Sequence, residues 1–233
     1  MTYKLHKKPD YKEIIYKKNQ WILLSNLRKK AKTILTILEK SNLNPIIHGS
    51  VARGDVNKSS DIDIFIPELV PSFKIEFTLK RAKIEIMNRF MIQATPNTSV
   101  KAYIEIDETT TISFQLIPLR RVEREFYRFG GVLDLNQLTS LLRVRGINKQ
   151  LMLIEPTKLG HIEQPILGIE DQAANLLGIS SQTILNRVNT LNKRKKRGST
   201  GVFLKKQINS TQTFEMVLKQ IAYNNPLVRR RLR

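Results

Sequence analysis

The sequence predicts an α+β fold, in which a mixed sheet with flanking helices is followed by a smaller C-terminal domain. Apolar residues recur about every 3.6 positions in residues 11–41 and 75–93, which is typical of amphipathic helices. Short apolar runs bounded by glycine, proline or polar residues indicate strands at 46–47, 62–66, 100–106 and 111–117. The order helix, strand, strand, helix, hairpin describes an α+β unit.

The elements follow one another with clear boundaries. The first helix has an apolar stripe that contains Trp21 and a basic opposite face. The first strand ends at a Gly49-Ser50 turn, and Pro67 stops the second strand. After the second helix, the polar turn 107–110 joins the last two strands into a hairpin.

The charge of the chain points to an anionic partner. Of 233 residues, 40 are Lys or Arg and 20 are Asp or Glu, which gives a formal net charge of +20. Such an excess attracts polyanions, so nucleic acid is the first expected partner, ahead of nucleotide and of an anionic membrane surface. The composition, 41% hydrophobic and 26% charged, argues against disorder over most of the length.

The chain contains no cysteine, which excludes disulfides and thiolate metal sites. Its first residues, MTYKLHKKPDYKE, lack the apolar centre of a signal peptide, and no stretch approaches the ~18 apolar residues of a membrane span. We therefore expect a cytoplasmic protein. Residues 1–120 are predicted to form the α+β domain, residues 121–168 a connecting region in which a helix begins near Asp134, and residues 169–233 a separate basic domain.

Two aspartates lie in the second predicted strand. Asp61 and Asp63 are two residues apart, so both side chains leave one face of the strand while the isoleucines between and after them leave the other. Carboxylates held this close repel each other unless a cation lies between them. Mg²⁺ suits the arrangement, because it binds one or two carboxylates, keeps several waters and takes its other ligands from substrate phosphate.

The Gly49-Ser50 turn predicts a phosphate site beside this pair. Glycine lets the backbone come close to a phosphate, to which the backbone N–H groups and the Ser50 hydroxyl can donate. Arg53 adds a positive charge and is a further candidate for nucleotide binding. The alternative is an edge strand with outward aspartates after an ordinary turn.

Taken together, the strand, the Gly-Ser turn, "ARGD" and "SDIDIFI" resemble the signature of the nucleotidyltransferase superfamily that includes DNA polymerase beta and the CCA-adding enzymes. The resemblance implies a nucleotidyltransferase-type mixed sheet and transfer of a nucleoside monophosphate from a nucleoside triphosphate to a hydroxyl. It assigns Gly49 and Ser50 to the triphosphate, and Asp61 and Asp63 to two Mg²⁺ ions that take part in catalysis.

The superfamily has a third carboxylate on a later strand, and the matching position in "ISFQLIPL" is Gln115. Glutamine can offer a carbonyl oxygen to a metal but cannot accept a proton from a hydroxyl, which puts catalysis in doubt. If the hairpin turns through three residues centred on Thr110, Glu105 lies opposite Gln115 and becomes a candidate for the third catalytic carboxylate. The alternative is that Glu105 is a solvated residue on the sheet surface.

The C-terminal region resembles a helix-turn-helix. One helix is predicted to end at Leu177, Gly178 allows a sharp turn, and Ser180 or Ser181 caps a second helix. The outer face of that helix would present residues able to contact bases or phosphates, namely Gln182, Thr183, Asn186 and Arg187. The alternative is a helical hairpin that packs on the first domain.

Residues 193–206, KRKKRGSTGVFLKK, contain seven basic residues and no acidic one. With Gly198 and Gly201 in a turn between extended arms, this segment is expected to be the wing of a winged helix that contacts phosphates. The basic candidates are Lys193, Arg194, Lys195, Lys196 and Arg197.

The whole arrangement resembles the predicted archaeal nucleotidyltransferases that carry a helix-turn-helix after the catalytic domain. The resemblance implies an enzyme that uses a nucleoside triphosphate and two Mg²⁺ ions and acts on DNA, RNA or a protein bound to them. The alternative is a DNA-binding transcriptional regulator whose transferase domain binds nucleotide but does not react.

Overall fold

The computed structural model describes residues 11–198 and 201–232. These residues form the following helices and strands, in chain order: β1 (Lys12–Ile15), α1 (Lys18–Glu39), β2 (Ile46–His48), α2 (Ser50–Arg53), β3 (Ile62–Ile66), α3 (Ser72–Arg81), β4 (Asn88–Gln93), β5 (Lys101–Asp107), β6 (Thr110–Gln115), α4 (Arg121–Gly130), β7 (Val132–Leu133), α5 (Leu135–Thr139), β8 (Gly146–Ile147), β9 (Met152–Pro156), β10 (Gly160–Pro165), α6 (Glu170–Leu177), α7 (Ser181–Arg197), β11 (Leu204–Gln207), α8 (Phe214–Asn224) and α9 (Pro226–Leu232).

The strands of the described ranges form two sheets. The larger has the order β11-β4-β5-β6-β3-β2-β7, and the smaller has the order β1-β10-β9-β8. In the larger sheet, β3 and β6 are parallel and the other neighbours are antiparallel. The mixed sheet with helices that the sequence predicts is therefore confirmed.

The main core lies on one face of the larger sheet. Ile62, Ile64 and Ile66 alternate along β3, are fully buried, and pack with α1 and α3. Because successive side chains of a strand leave opposite faces, burial of the isoleucines directs Asp63 to the other face. We call the side that carries Asp63 the open face.

A second layer covers part of the open face. The Tyr127 ring of α4 stacks on Phe65 of β3, with centroids 3.8 Å apart and planes 9° from parallel. Behind α4, a separate apolar cluster contains Phe129, Ile147 and Val188 and joins β8 and β9 to α6 and α7. The connecting region and the helix pair α6–α7 therefore form one packed unit over the sheet.

Two of the predicted helices are partly strand. Residues 12–15 form β1, which pairs with β10 far along the chain, and only then does α1 begin. The second helix ends at Arg81, Lys83 has a positive φ of 57°, and residues 88–93 form β4 against β5. In both places, pairing with another strand outweighs the helical spacing of the apolar residues.

The predicted separate domain at 169–233 and its wing are not what the structure contains. Residues 193–197 continue α7 as helix, and β11 pairs with β4 at the edge of the larger sheet. The side chains of Phe214 and Val217 in α8 are buried in the main core. Residues 199–200, within the predicted wing, lie outside the described residues.

Within residues 11–198 and 201–232, every helix is too short or too polar to cross a lipid bilayer.

Candidate active site

The turn after β2 brings a short helix to the open face. Gly49 has φ 81° and ψ −147°, a conformation that side chains disfavour, although a Cβ there would meet no atom within 4 Å. Its N–H donates to the Gly131 carbonyl at 3.1 Å, and its carbonyl accepts from the N–H groups of Ala52 and Arg53. The requirement for glycine at this position is therefore conformational.

Ser50 and the two aspartates meet in one cleft. Asp63 lies opposite His48 in the β2–β3 register, and Asp61 directly precedes β3. Both aspartates are exposed and line a cleft of about 310 Å³ together with Gly49 and Ser50. The Ser50 hydroxyl donates to the Ser60 hydroxyl at 3.2 Å, which ties the turn to the loop that leads into β3.

The electrostatics of this cleft suit a divalent cation. Surrounding protein atoms desolvate Asp63 and raise its pKa, while the nearby Lys149 opposes the rise. In the part of the chain that the structure describes, neither Asp61 nor Asp63 has a basic group within 4.0 Å. The aspartates can therefore act as oxygen ligands without breaking an ion pair.

The same described residues contain no group of three or more His, Cys, Asp or Glu placed to hold a metal. The aspartate pair fits Mg²⁺ nonetheless, because this ion is commonly held by one or two carboxylates, with water and substrate phosphate completing its shell.

Comparison with known proteins agrees with this geometry. The model of the nucleotidyltransferase domain family matches residues 26–120, a segment that contains the turn and both aspartates. Residues 26–120 are therefore similar to a nucleotidyltransferase domain, and we call this segment the transferase domain. This finding is consistent with the polymerase beta-like superfamily that the motifs resemble. No curated protein and no solved structure matches the chain.

Arg53 supports the turn, and His48 ends the strand that leads into it. Arg53 is buried, donates to the Gly130 carbonyl at 2.6 Å and pairs with Asp55 at 3.0 Å. The guanidinium is thus engaged within the protein, which favours a positioning role over the nucleotide contact expected from the sequence. Burial, with Lys101 and Arg53 nearby, lowers the pKa of His48 to about 3, so its ring is neutral at pH 7.

The expected third carboxylate is not in the cleft. The predicted register is wrong, because Glu105 lies opposite Thr111 and Gln115 lies opposite Lys101. Thr111 also faces Asp63 across β6 and β3, so Glu105 shares the open face but lies two strands away, about 10 Å at the usual strand spacing. Glu105 accepts a hydrogen bond from the Asn88 amide at 2.8 Å.

Gln115 has a structural role in this arrangement. It is buried; its amide nitrogen donates to the Pro67 carbonyl, and its amide oxygen accepts from the Leu119 N–H at 2.8 Å. Both contacts lie at the end of β6, away from the aspartates. Gln115 therefore holds the chain where it leaves the sheet.

The connecting region supplies part of the cleft that sequence reasoning missed. Phe126 and Phe129 of α4 and Lys149 of the turn after β8 line it beside the aspartates. No pattern in residues 121–168 marks these positions, because their shared location arises only when α4 and β8 pack on the open face. In the sequence, Lys149 is an isolated lysine between Asn148 and Gln150, which by itself does not indicate a site.

Arg187 also lines the cleft, which the sequence did not predict. It projects from α7 with its guanidinium carbon 4.7 Å from the centre of the Phe126 ring and 5.7 Å from that of Phe129. The predicted position on an outer, DNA-reading face is therefore wrong. The helix turns this residue toward the transferase domain because Ile184 and Val188 pack in the adjacent apolar cluster.

The predicted position of Thr183 on the outer face of α7 is also wrong. It is 1% exposed, and its hydroxyl donates to the Glu125 carboxylate at 2.5 Å. The N–H and hydroxyl of Ser180, the N-cap of α7, donate to the same carboxylate oxygen. A residue in this buried network cannot contact nucleic acid.

Other candidates on α7 remain at the surface. Gln182 and Asn186 are exposed, and the Gln182 amide donates to the Asn186 side chain at 2.9 Å. The basic residues that follow are also exposed, namely Lys193, Arg194, Lys195 and Lys196. Arg197 is the last residue of the helix.

Proposed function

We propose that the transferase domain moves a nucleoside monophosphate from a nucleoside triphosphate to a hydroxyl group. One observation carries the proposal: the Gly49-Ser50 turn and the Asp61/Asp63 pair line the same cleft, although a loop separates them in the chain. A phosphate held by the turn would lie beside the two carboxylates. This is the arrangement that metal-assisted phosphoryl transfer needs.

The residues of the cleft have distinct roles in this reaction. Ser50 donates to phosphate oxygens from its N–H at the first turn of α2, where helix geometry leaves that N–H free, and from its hydroxyl once this gives up its bond to Ser60. Asp61 and Asp63 would hold two Mg²⁺ ions, which would supply charge neutralisation for the phosphoryl oxygens. Arg53 keeps the turn in position through Gly130 and Asp55.

The acceptor is proposed to be a nucleic acid or a protein bound to one. The net charge of +20 favours a polyanionic partner. The exposed basic residues Lys193 to Lys196 continue the helix that carries Arg187, so a positive surface leads away from the cleft along α7. Phosphate contacts of this kind give affinity without choice of sequence.

A DNA-binding regulator is the second candidate, supported by the exposed amides of Gln182 and Asn186 on α7. Two of the four residues expected to read bases are unsuited to it, because Thr183 is buried and Arg187 lines the cleft. Equal affinity for duplexes of unrelated sequence would count against this candidate.

Label transfer tests the enzyme proposal. The wild-type protein is incubated with each α-labelled nucleoside triphosphate, Mg²⁺ and a mixture of DNA, RNA and protein acceptors. We expect transfer by the wild type and a loss of roughly 1,000-fold or more in the Asp61→Asn, Asp63→Asn double variant, since metal stabilisation contributes several kcal/mol.

A matched control separates metal binding from a general change in charge. Asp171→Asn alters an exposed carboxylate on α6 and is expected to leave transfer unchanged. If the wild-type protein transfers no label to any acceptor, the proposal is wrong.

A further inference from the structure

Arg187 is an incompletely paired cation in the wall of the transferase cleft. Its side chain is half-buried, and the buried Nε atom has no hydrogen-bond partner. Among residues 11–198 and 201–232, no carboxylate lies within 4.0 Å of its guanidinium. Its neighbours include the rings of Phe126 and Phe129 and two further cations, Lys101 and Arg194.

This placement is unfavourable for the protein alone. Burial, together with repulsion from Arg194, lowers the pKa of Arg187 to about 10, which still leaves it charged at pH 7. A desolvated charge without a counterion costs stability unless a partner neutralises it. The two aromatic rings offset only part of that cost through cation–π contact.

The fold nevertheless holds α7 in this position. Glu125 of α4 accepts hydrogen bonds from Ser180 and Thr183 in the first turn of α7. One turn later, Val188 packs in the apolar cluster beside Phe129. Arg187 is therefore kept at the cleft by contacts that do not involve its own charge.

The opposite parts of the cleft limit what anion can meet Arg187. The same cleft contains Ser50, Asp61, Asp63 and Lys149, and its volume is about 310 Å³. A bare carboxylate ligand would be repelled by the aspartates. An anion can bind both sides of the cleft if it arrives with a divalent cation. It then needs oxygens for the metal beside the aspartates and for the planar guanidinium of Arg187.

We propose that Arg187 binds the phosphate chain of the nucleoside triphosphate, so that the C-terminal helix pair α6–α7 completes the nucleotide site. The inference rests on the proposed function and extends it, because it assigns a substrate contact to a residue outside the matched transferase segment. In this arrangement α7 contacts the nucleotide through Arg187, and its exposed basic end is available to bind a polyanion.

Binding measurements with matched variants test this role. Isothermal titration with inorganic tripolyphosphate, and separately with a nucleoside triphosphate, is done in Mg²⁺. The variants are Arg187→Met, which keeps most of the packing, Arg187→Lys, which keeps the charge, and Lys219→Met, which removes an exposed charge from α8. Thermal melting of each variant checks the fold.

We expect Arg187→Met to weaken both ligands by about 10- to 100-fold, the loss that accompanies removal of a charged hydrogen bond. Arg187→Lys should weaken them less, and Lys219→Met should bind as the wild type does. The melting temperature of Arg187→Met should equal or exceed that of the wild type without ligand. Unchanged binding of both ligands by a folded Arg187→Met variant would overturn the inference.

The outcomes also separate this inference from the proposed function. If wild-type protein transfers label and Arg187→Met binds normally, the transferase proposal stands and the role of Arg187 is wrong. If no label is transferred but tripolyphosphate binds and is lost in Arg187→Met, the phosphate site is real and the transfer reaction is not. If Arg187→Met does not fold, the Arg187→Lys variant decides: binding equal to the wild type overturns the role of the guanidinium.

Discussion

The transferase domain and the helix pair α6–α7 both have recognisable local sequences, yet only in the first does the local pattern indicate the functional face. The prediction of a strand at residues 62–66 is confirmed, and the aspartates lie on the open side of it. The predicted helices are also confirmed in α6–α7, with Gly178 at φ 61° and Ser180 as N-cap. There, however, the side expected to read DNA contains a buried threonine and a cleft-lining arginine.

The difference shows how much of a functional face can be predicted from local backbone geometry. A strand next to buried isoleucines has two faces, so identifying the apolar face identifies the other. A helix has several faces, and more than one of them can be covered. Ile184 and Val188 indicate one buried side of α7, but Glu125 and Phe126 of α4 cover a second side that the spacing does not reveal.

The largest expected effect comes from a single aspartate of the transferase domain. Asp63→Asn removes a proposed metal ligand from the cleft and should lower nucleotidyl transfer by roughly 100- to 1,000-fold, equivalent to several kcal/mol of lost stabilisation. Initial rates of label transfer measure it, with Asp171→Asn as the control. If Asp63→Asn lowered the rate of transfer less than Arg187→Lys does, the transferase domain would contribute less to the reaction than the helix pair α6–α7.

The next effect tests what holds α7 against α4. Glu125→Ala leaves the buried Ser180 and Thr183 groups without their acceptor and should lower the free energy of unfolding by about 2–4 kcal/mol. Urea denaturation measures it, and Glu85→Ala, at an exposed position, is the control. If the two variants unfold alike, Glu125 does not anchor the helix pair.

The same anchor predicts a pH dependence. Burial opposes ionisation of Glu125, but hydrogen bonds from Ser180, Thr183 and Arg121 outweigh it and lower its pKa from 4.5 to about 2. A depressed carboxyl pKa stabilises the fold fully above the unfolded value, and this contribution is lost as the pH falls through the folded value. The difference in melting temperature between wild type and Glu125→Gln should therefore shrink between pH 4.5 and pH 2. A constant difference would contradict the assignment.

The smallest effect concerns the turn. Gly49→Ala introduces a side chain at φ 81° with no steric neighbour within 4 Å, so only backbone strain opposes it, about 1–2 kcal/mol. We expect a correspondingly modest loss of thermal stability and weaker triphosphate binding. Gly168→Ala, also at positive φ with open space, provides a control for strain away from the cleft. Equal triphosphate affinity in both variants would mean that the turn does not bind phosphate.

Several elements could be predicted because their signals are local. The strand at 62–66, the Asp134 N-cap of α5 and the hairpin of β5 and β6 follow from neighbouring residues, and the structure contains them. The sequence failed where pairing with another strand overrides the helical spacing of apolar residues. Residues 12–15 and 88–93 have helical spacing, but hydrogen bonds to β10 and β5 make them strands.

The sequence by itself determined the chemistry of the cleft: two carboxylates on one face of a strand and a glycine that permits a sharp turn. Only the tertiary structure decided which other residues join them. Lys149 and Arg187 come from segments far along the chain, and they reach the cleft because α4, β8 and α7 pack on the open face. The physical reason is that side-chain direction along a strand depends on local backbone geometry, whereas the contact of a helix with a sheet depends on apolar surface contributed by the whole chain.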